Sequence, residues 1–133
     1  MKIEKSVRGG VAVLRPEDRL DLLGYLDLEE ALRETLAIGR TRIVLDLSKV
    51  TFLSSTAIAV LARYWGEASE LGGALALARP TREARNNLEL ANLDALFRIF
   101  EELDKAVRAL EEMTTIVKRR RKRPSGCSAR EKG

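Results

Sequence analysis

The apolar residues of this chain fall into two rhythms, one of period two and one of period three to four. Lys2 to Val7 and Val11 to Leu14 are short β-branched runs separated by Gly9-Gly10, a dipeptide suited to a tight turn, and they predict a β-hairpin that opens the sheet. After Pro16 and Asp21, Leu28, Ala31, Leu32 and Thr35 recur at i, i+3, i+4 and i+7, with Glu29, Glu30, Arg33 and Glu34 opposite. That spacing predicts an amphipathic helix ending at Gly39. Arg42 to Leu47 is nearly continuous in apolar character, the pattern of a strand covered on both faces, and belongs in the middle of the sheet.

Beyond Thr51-Phe52-Leu53, a second helix is marked by Ala57, Leu61, Tyr64, Ala68 and Leu71, with Arg63, Glu67 and Glu70 on its polar side. Ser54, Ser55 and Thr56 stand at its start, where hydroxyl oxygens accept hydrogen bonds from unpaired first-turn amides. Gly72-Gly73 stops it, and Ala74 to Ala78 reads as a strand. Pro80-Thr81 then opens a helix with Ala84, Leu88 and Ala91 as its buried stripe, closed by Asn92 in a left-handed position. A short Leu96 to Phe100 stretch precedes a fourth helix carrying Leu103, Ala106, Val107 and Leu110. The order β-β-α-β-α-β-α-(β)-α predicts an α/β fold with parallel crossovers, a small mixed sheet of about four to five strands packed against about four helices.

A length of 133 residues suits one domain with a real core, and an aromatic content of 5% makes that core aliphatic. Charge divides the chain. Residues 118–133 hold eight Lys or Arg and one acid, whereas 1–117 carry a net charge of −3. Residues 1–115 are therefore read as the domain and 116–133 as a basic tail expected to be disordered, because six consecutive like charges at 118–123 repel one another. The tail lacks interleaved aromatics for base stacking, so nucleic acid is expected to bind weakly there at most. No apolar run of about 18 residues and no signal-peptide pattern occurs, so no membrane span and a cytoplasmic location are expected.

The absence of histidine and the presence of one cysteine, Cys127, exclude a His-based triad and a His/Cys metal site. Asp18, Asp21, Asp46 and the Glu29-Glu30 pair fall beside turns or on polar helix faces, where capping and solvation account for them. No cofactor, no metal and no catalytic residue are expected. Read from the residues alone, Ser54 to Thr56 form a helix cap, Asp46 is either a strand-end turn former or a carboxylate near that cap, and Trp65 is either a buried edge of the second helix's stripe or a partner-facing contact.

Ile43 to Leu61 resembles the signature of STAS domains of the anti-sigma factor antagonist type: an apolar strand, Asp-Leu-Ser, a short link, then Asp-Ser-Ser/Thr-Gly opening a helix. Arg19-Leu20-Asp21 is similar to the family's Gly-x-Leu-Asp element, Leu88 to Leu93 to its Leu-x-x-x-Gly-Leu segment, and Phe100 to Ala106 to the start of its last helix, so the resemblance spans about residues 3–112. Ser54, Ala57 and Asp18 stand where the family usually has Asp, Gly and Gly.

The resemblance implies a bacterial transcription regulator of sporulation or stress response that is itself no enzyme. It would bind an anti-sigma factor that is also a serine/threonine kinase of the histidine-kinase-like ATPase type, through the Ser54–Thr56 loop and the helix 57–71. Phosphorylation would fall on Thr56, with Ser55 second, and Asp21, Asp46, Ser54, Ser55, Thr56, Ala57 and Ile58 would form the partner-binding set. The alternative is a constitutive scaffold or subunit domain of a stress-signalling or lipid-transport assembly, without phosphorylation.

Overall fold

A computed structural model describes residues 2–21, 24–92 and 95–121. The hairpin forms as its glycines require: β1 (Ile3–Arg8) and β2 (Val11–Pro16) pair antiparallel across Gly9 and Gly10, whose φ values are 55° and 83°. A short β3 (Asp18–Leu20) leads to α1 (Gly24–Ala37), then β4 (Arg42–Asp46), β5 (Val50–Leu53) and α2 (Ser55–Glu70). β6 (Ala74–Ala78), α3 (Arg82–Leu90), β7 (Ile99–Phe100) and α4 (Leu103–Arg121) complete the order.

Five strands make one mixed sheet in the order β1-β2-β4-β6-β7, with β4 in its centre as its apolar run predicts. The β2–β4, β4–β6 and β6–β7 pairings are all parallel. Because side chains alternate across a strand, each central strand feeds two cores. Leu14, Ile43, Leu45, Leu75 and Leu77 meet Leu28 and Leu32 of α1, Ala57, Ile58 and Leu61 of α2, and Ala84 and Leu88 of α3. On the opposite face Val11, Val13, Val44, Ala76 and Ala78 meet Ala106, Val107 and Leu110 of α4. The alanines of β6 lie under the single helix and its leucines under the three-helix layer, so the alternation in Ala74 to Ala78 matches the space each face offers.

The structure adds a feature that the hydrophobic pattern does not predict. β3 and β5 form a separate two-stranded parallel ribbon, with Leu20 opposite Leu53. Strands of three and four residues are too short for a period-two signal, and β5 carries Thr51 exposed between buried Val50 and half-buried Phe52. α4 continues past residue 115, where the sequence divides domain from tail, to Arg121. The basic side chains at 118–123, Cys127 and Leu93 lie outside the described residues.

Two departures from the family's glycines acquire a backbone reason. Asp18 and Asn92 both adopt left-handed φ, 68° and 60°, and Asp and Asn are the residues that tolerate it best after glycine. Gly73 is constrained by space: a Cβ there would run into the Thr41 carbonyl, which accepts the Ala74 amide at 2.9 Å to start β6 beside β4. Gly73→Ala should therefore lower unfolding free energy by about 2–3 kcal/mol, read as a fall in the urea midpoint with an unchanged denaturant slope.

Candidate functional site

The ribbon carries two strand-to-helix junctions to the same end of the domain. β3 runs into Asp21 and α1, and β5 runs into Ser54 and α2. The Ser54 amide crosses between them to the Leu20 carbonyl at 2.9 Å. Each junction supplies its helix with a cap. Asp21 Oδ1 accepts from the Gly24 amide at 3.2 Å, and Ser54 Oγ, on extended backbone (φ −75°, ψ 164°), accepts from the Ala57 amide at 3.1 Å. Two positive helix ends thus sit side by side at the carboxyl ends of parallel strands, the part of an α/β fold where ligands are usually met. The first turn of α2 contains no acid, so nothing on the helix neutralises that end.

Within this junction the candidate residues divide by burial. Ser55 and Thr56 are exposed and Ser54 and Asp21 are half-buried, whereas Ala57 and Ile58 are 0% and 4% accessible. Ala57 and Ile58 were expected to touch a partner; they are instead pegs that fix α2 in the core, with almost no surface left to present. Ala57 takes ordinary helical backbone, so the methyl group in place of the family's glycine strains nothing and packs fully. On the β3–β5 ribbon, Arg19 stacks over the Phe52 ring at 4.5 Å and reaches Asp21 at 3.6 Å. Further along α2, Arg63 bridges Glu67 at 3.1 Å and Glu29 of α1 at 3.0 Å. Trp65 is partly buried at the margin of the core.

Asp46 is not brought to the junction. Leu45 faces Ala57 and Ile58, so Asp46, one residue on, turns to the other face of the sheet, where it lines a cavity of about 400 Å³ with Arg8, Arg15 and Leu103. Its buried carboxylate takes Arg79 Nη2 at 2.6 Å and the Ser48 amide at 3.0 Å. Burial alone would raise the Asp46 carboxyl, but hydrogen bonds from Arg79 and Ser48 outweigh it and hold the group below its ordinary value. The turn-former alternative is the one that fits.

Arg79 and Asn87 are the residues that sequence reasoning missed. Arg79 follows β6 as Asp46 ends β4, and only the β4–β6 register makes them neighbours. Asn87 Oδ1 accepts the Leu53 amide at 2.9 Å, and no periodicity marks it, since it lies beside Leu88 on the buried side of α3. Thr81, read as a helix start, both caps Ala84 at 3.1 Å and donates to the Val50 carbonyl at 2.7 Å. Among the described residues no group of three or more His, Cys, Asp or Glu is placed to hold a metal ion, and no helix is long and apolar enough to cross a membrane.

Comparison with known proteins points the same way. The STAS domain profile matches residues 2–106. The anti-sigma-F factor antagonist RsfB of Mycobacterium tuberculosis is 35% identical over 100 residues, covering 74% of this chain and 80% of that protein. The crystal structure of a putative anti-sigma factor antagonist from Thermotoga maritima superposes with a TM-score of 0.76 at 25% identity, covering 81% of this chain and 93% of that one. The anti-sigma factor antagonist SpoIIAA in its unphosphorylated form gives a TM-score of 0.72 over 84% of this chain and 97% of its own, a likeness of fold at 15% identity.

The Asp46–Arg79 pair generates a pH-dependent expectation. With Asp46 held low, its stabilisation is full above the ordinary carboxylate range near pH 4 and is lost as pH falls through the lowered value. In Arg79→Leu the buried carboxylate loses its counterion, so burial raises it, and its cost is present at pH 7 and disappears as pH falls through the raised value. Because Arg79 is partly solvent-screened, the variant should lose about 2 kcal/mol at pH 7. Urea unfolding at pH 7 and pH 4.5 should show that gap narrowing toward the acid side; a constant gap would count against the pairing.

Proposed function

The chain belongs to the STAS domain family of anti-sigma factor antagonists, and from that premise we propose that it binds an anti-sigma factor through the Ser54–Thr56 junction and the exposed face of α2, with release governed by phosphorylation of Thr56. The observation that carries the reading is the placement of Thr56: an exposed hydroxyl in the first turn of a long helix whose preceding residue caps it and whose next two residues are buried. Such a hydroxyl is accessible to a kinase yet mounted on a rigid support. Ser55, also exposed, is the secondary acceptor.

A phosphate adds about −1.5 to −2 charges at neutral pH. At the first turn of α2 that charge meets a positive helix end whose own first turn carries no acid, which favours the modified domain by roughly 0.3–1 kcal/mol. The domain therefore stays folded when modified, and the cost falls on the complex. A dianion set against a packed or acidic partner surface loses several kcal/mol of binding, and each 1.4 kcal/mol is tenfold in affinity. In this role the chain is ligand and substrate, and the transferring enzyme is the partner, an anti-sigma factor of the histidine-kinase-like ATPase type. A bacterial cytoplasm is the setting this implies.

One observation favours a second reading. Ser54 caps α2 with a neutral hydroxyl at the position where the family usually brings a carboxylate, so the recognition charge is missing and a constitutive scaffold role is the competitor. Incubation with the cognate anti-sigma factor and ATP, followed by peptide mapping, separates the two. The switch predicts one phosphate on Thr56 and a Thr56→Glu variant that keeps its fold while binding about 100-fold more weakly. An unmodified Thr56 together with full affinity of Thr56→Glu would establish the scaffold reading instead.

A further inference from the structure

β5 is paired along one edge only, to β3, and its other edge faces α3. A strand edge carries amides and carbonyls that need partners when water is kept away. Here the N-cap of α3 and a residue within it supply side-chain partners: the Thr81 hydroxyl donates to the Val50 carbonyl at the start of β5, and Asn87 Oδ1 accepts from the Leu53 amide at its end. Asn87 is half-buried next to fully buried Leu88. A carboxamide in such a place loses hydration and favours the helix less than leucine would, so its presence is accounted for by the bond it makes.

That bond falls at a critical residue. The Leu53 amide is held by α3, and the next amide along the chain, Ser54, is held by the Leu20 carbonyl of β3 at 2.9 Å. Two consecutive amides are thus tied to different elements, one on each side of the strand, which fixes the peptide planes on which Ser54 turns the chain into α2. Ser54 Oγ then takes the Ala57 amide, and Ser55 and Thr56 project from the turn so defined.

We propose that Asn87 is the positioning residue of the switch: from α3 it clamps the Leu53 amide and so sets the presentation of the Ser55 and Thr56 hydroxyls to the kinase. The inference rests on reading Thr56 as the phosphoacceptor. It makes α3, which contributes no hydroxyl of its own to the junction, a determinant of how well that junction is used as a substrate.

The test compares the unmodified chain with Asn87→Leu, which removes the acceptor, and Asn87→Asp, which keeps an oxygen in the same place. Amide hydrogen exchange followed by NMR reads the clamp without any partner. Asn87→Leu should speed exchange at Leu53 about tenfold, the size of one net hydrogen bond, and move the Ser55 and Thr56 amide resonances, while core amides of β4 are unchanged; Asn87→Asp should restore protection. With the cognate kinase, Asn87→Leu should lower the kcat for Thr56 about tenfold, leave KM within about twofold, and be rescued by Asn87→Asp. Unchanged Leu53 exchange in Asn87→Leu, or lost protection with wild-type phosphorylation kinetics, overturns the proposal. If the wild-type protein takes no phosphate at all, the switch reading falls and with it the kinetic role, whereas the exchange data still decide whether the clamp exists.

Discussion

β4 lies between two helical layers, Ile43 and Leu45 sealed by α1, α2 and α3 and Val44 by α4, so every side chain along its buried length must be apolar or neutralised. From that constraint the rest of the arrangement follows. A strand covered on both faces draws parallel neighbours whose crossovers are helices, and β2 and β6 flank it in that way. Where the strand ends in a carboxylate, a counterion has to come with it, and the residue one past the end of β6 supplies the guanidinium. Arg79 adopts a left-handed φ of 51° there, and its amide is held by the Phe100 carbonyl at 2.7 Å, so the unusual conformation is tied on both the backbone and the side chain.

The junction that carries the exposed Ser55 and Thr56 hydroxyls depends on the same core. Ala57 and Ile58 are buried, Ser55 and Thr56 are exposed, and the change occurs between adjacent residues of one helical turn. This separation lets a charge be added on one side of the turn without a cavity or a strain appearing on the other. In the proposed switch the effect would be local electrostatics read by a partner, with no refolding of the domain.

Long periodic elements were legible in the sequence because their burial repeats: the stripe of α2 from Ala57 to Ala68 and the run through β4 both carry the signal over many residues. Asn92 was legible for a different reason, since a helix end needs left-handed backbone that few residues accept. β3 and β5 were not, being too short for a period and held by register. Asp46 was left between a turn former and a carboxylate near the junction, the place the family resemblance gave it, and the one-residue alternation of the strand set it on the opposite face. Arg79 and Asn87 escaped notice because each acts on a residue more than thirty positions away, and a contact of that kind is fixed by topology alone.

Closure of the β5 edge by Thr81 and Asn87 also limits how another protein can approach. Many small domains are recognised by a visiting segment that adds itself as a further strand, drawing affinity from main-chain hydrogen bonds with little regard to side chains. β5 has its first carbonyl and its last amide already taken, β7 is two residues long, and β1 presents Glu4, Lys5 and Arg8 along the open margin of the main sheet. Under the proposed function, recognition at the junction would rest on side-chain chemistry, and it is side-chain chemistry that a single covalent modification can rewrite.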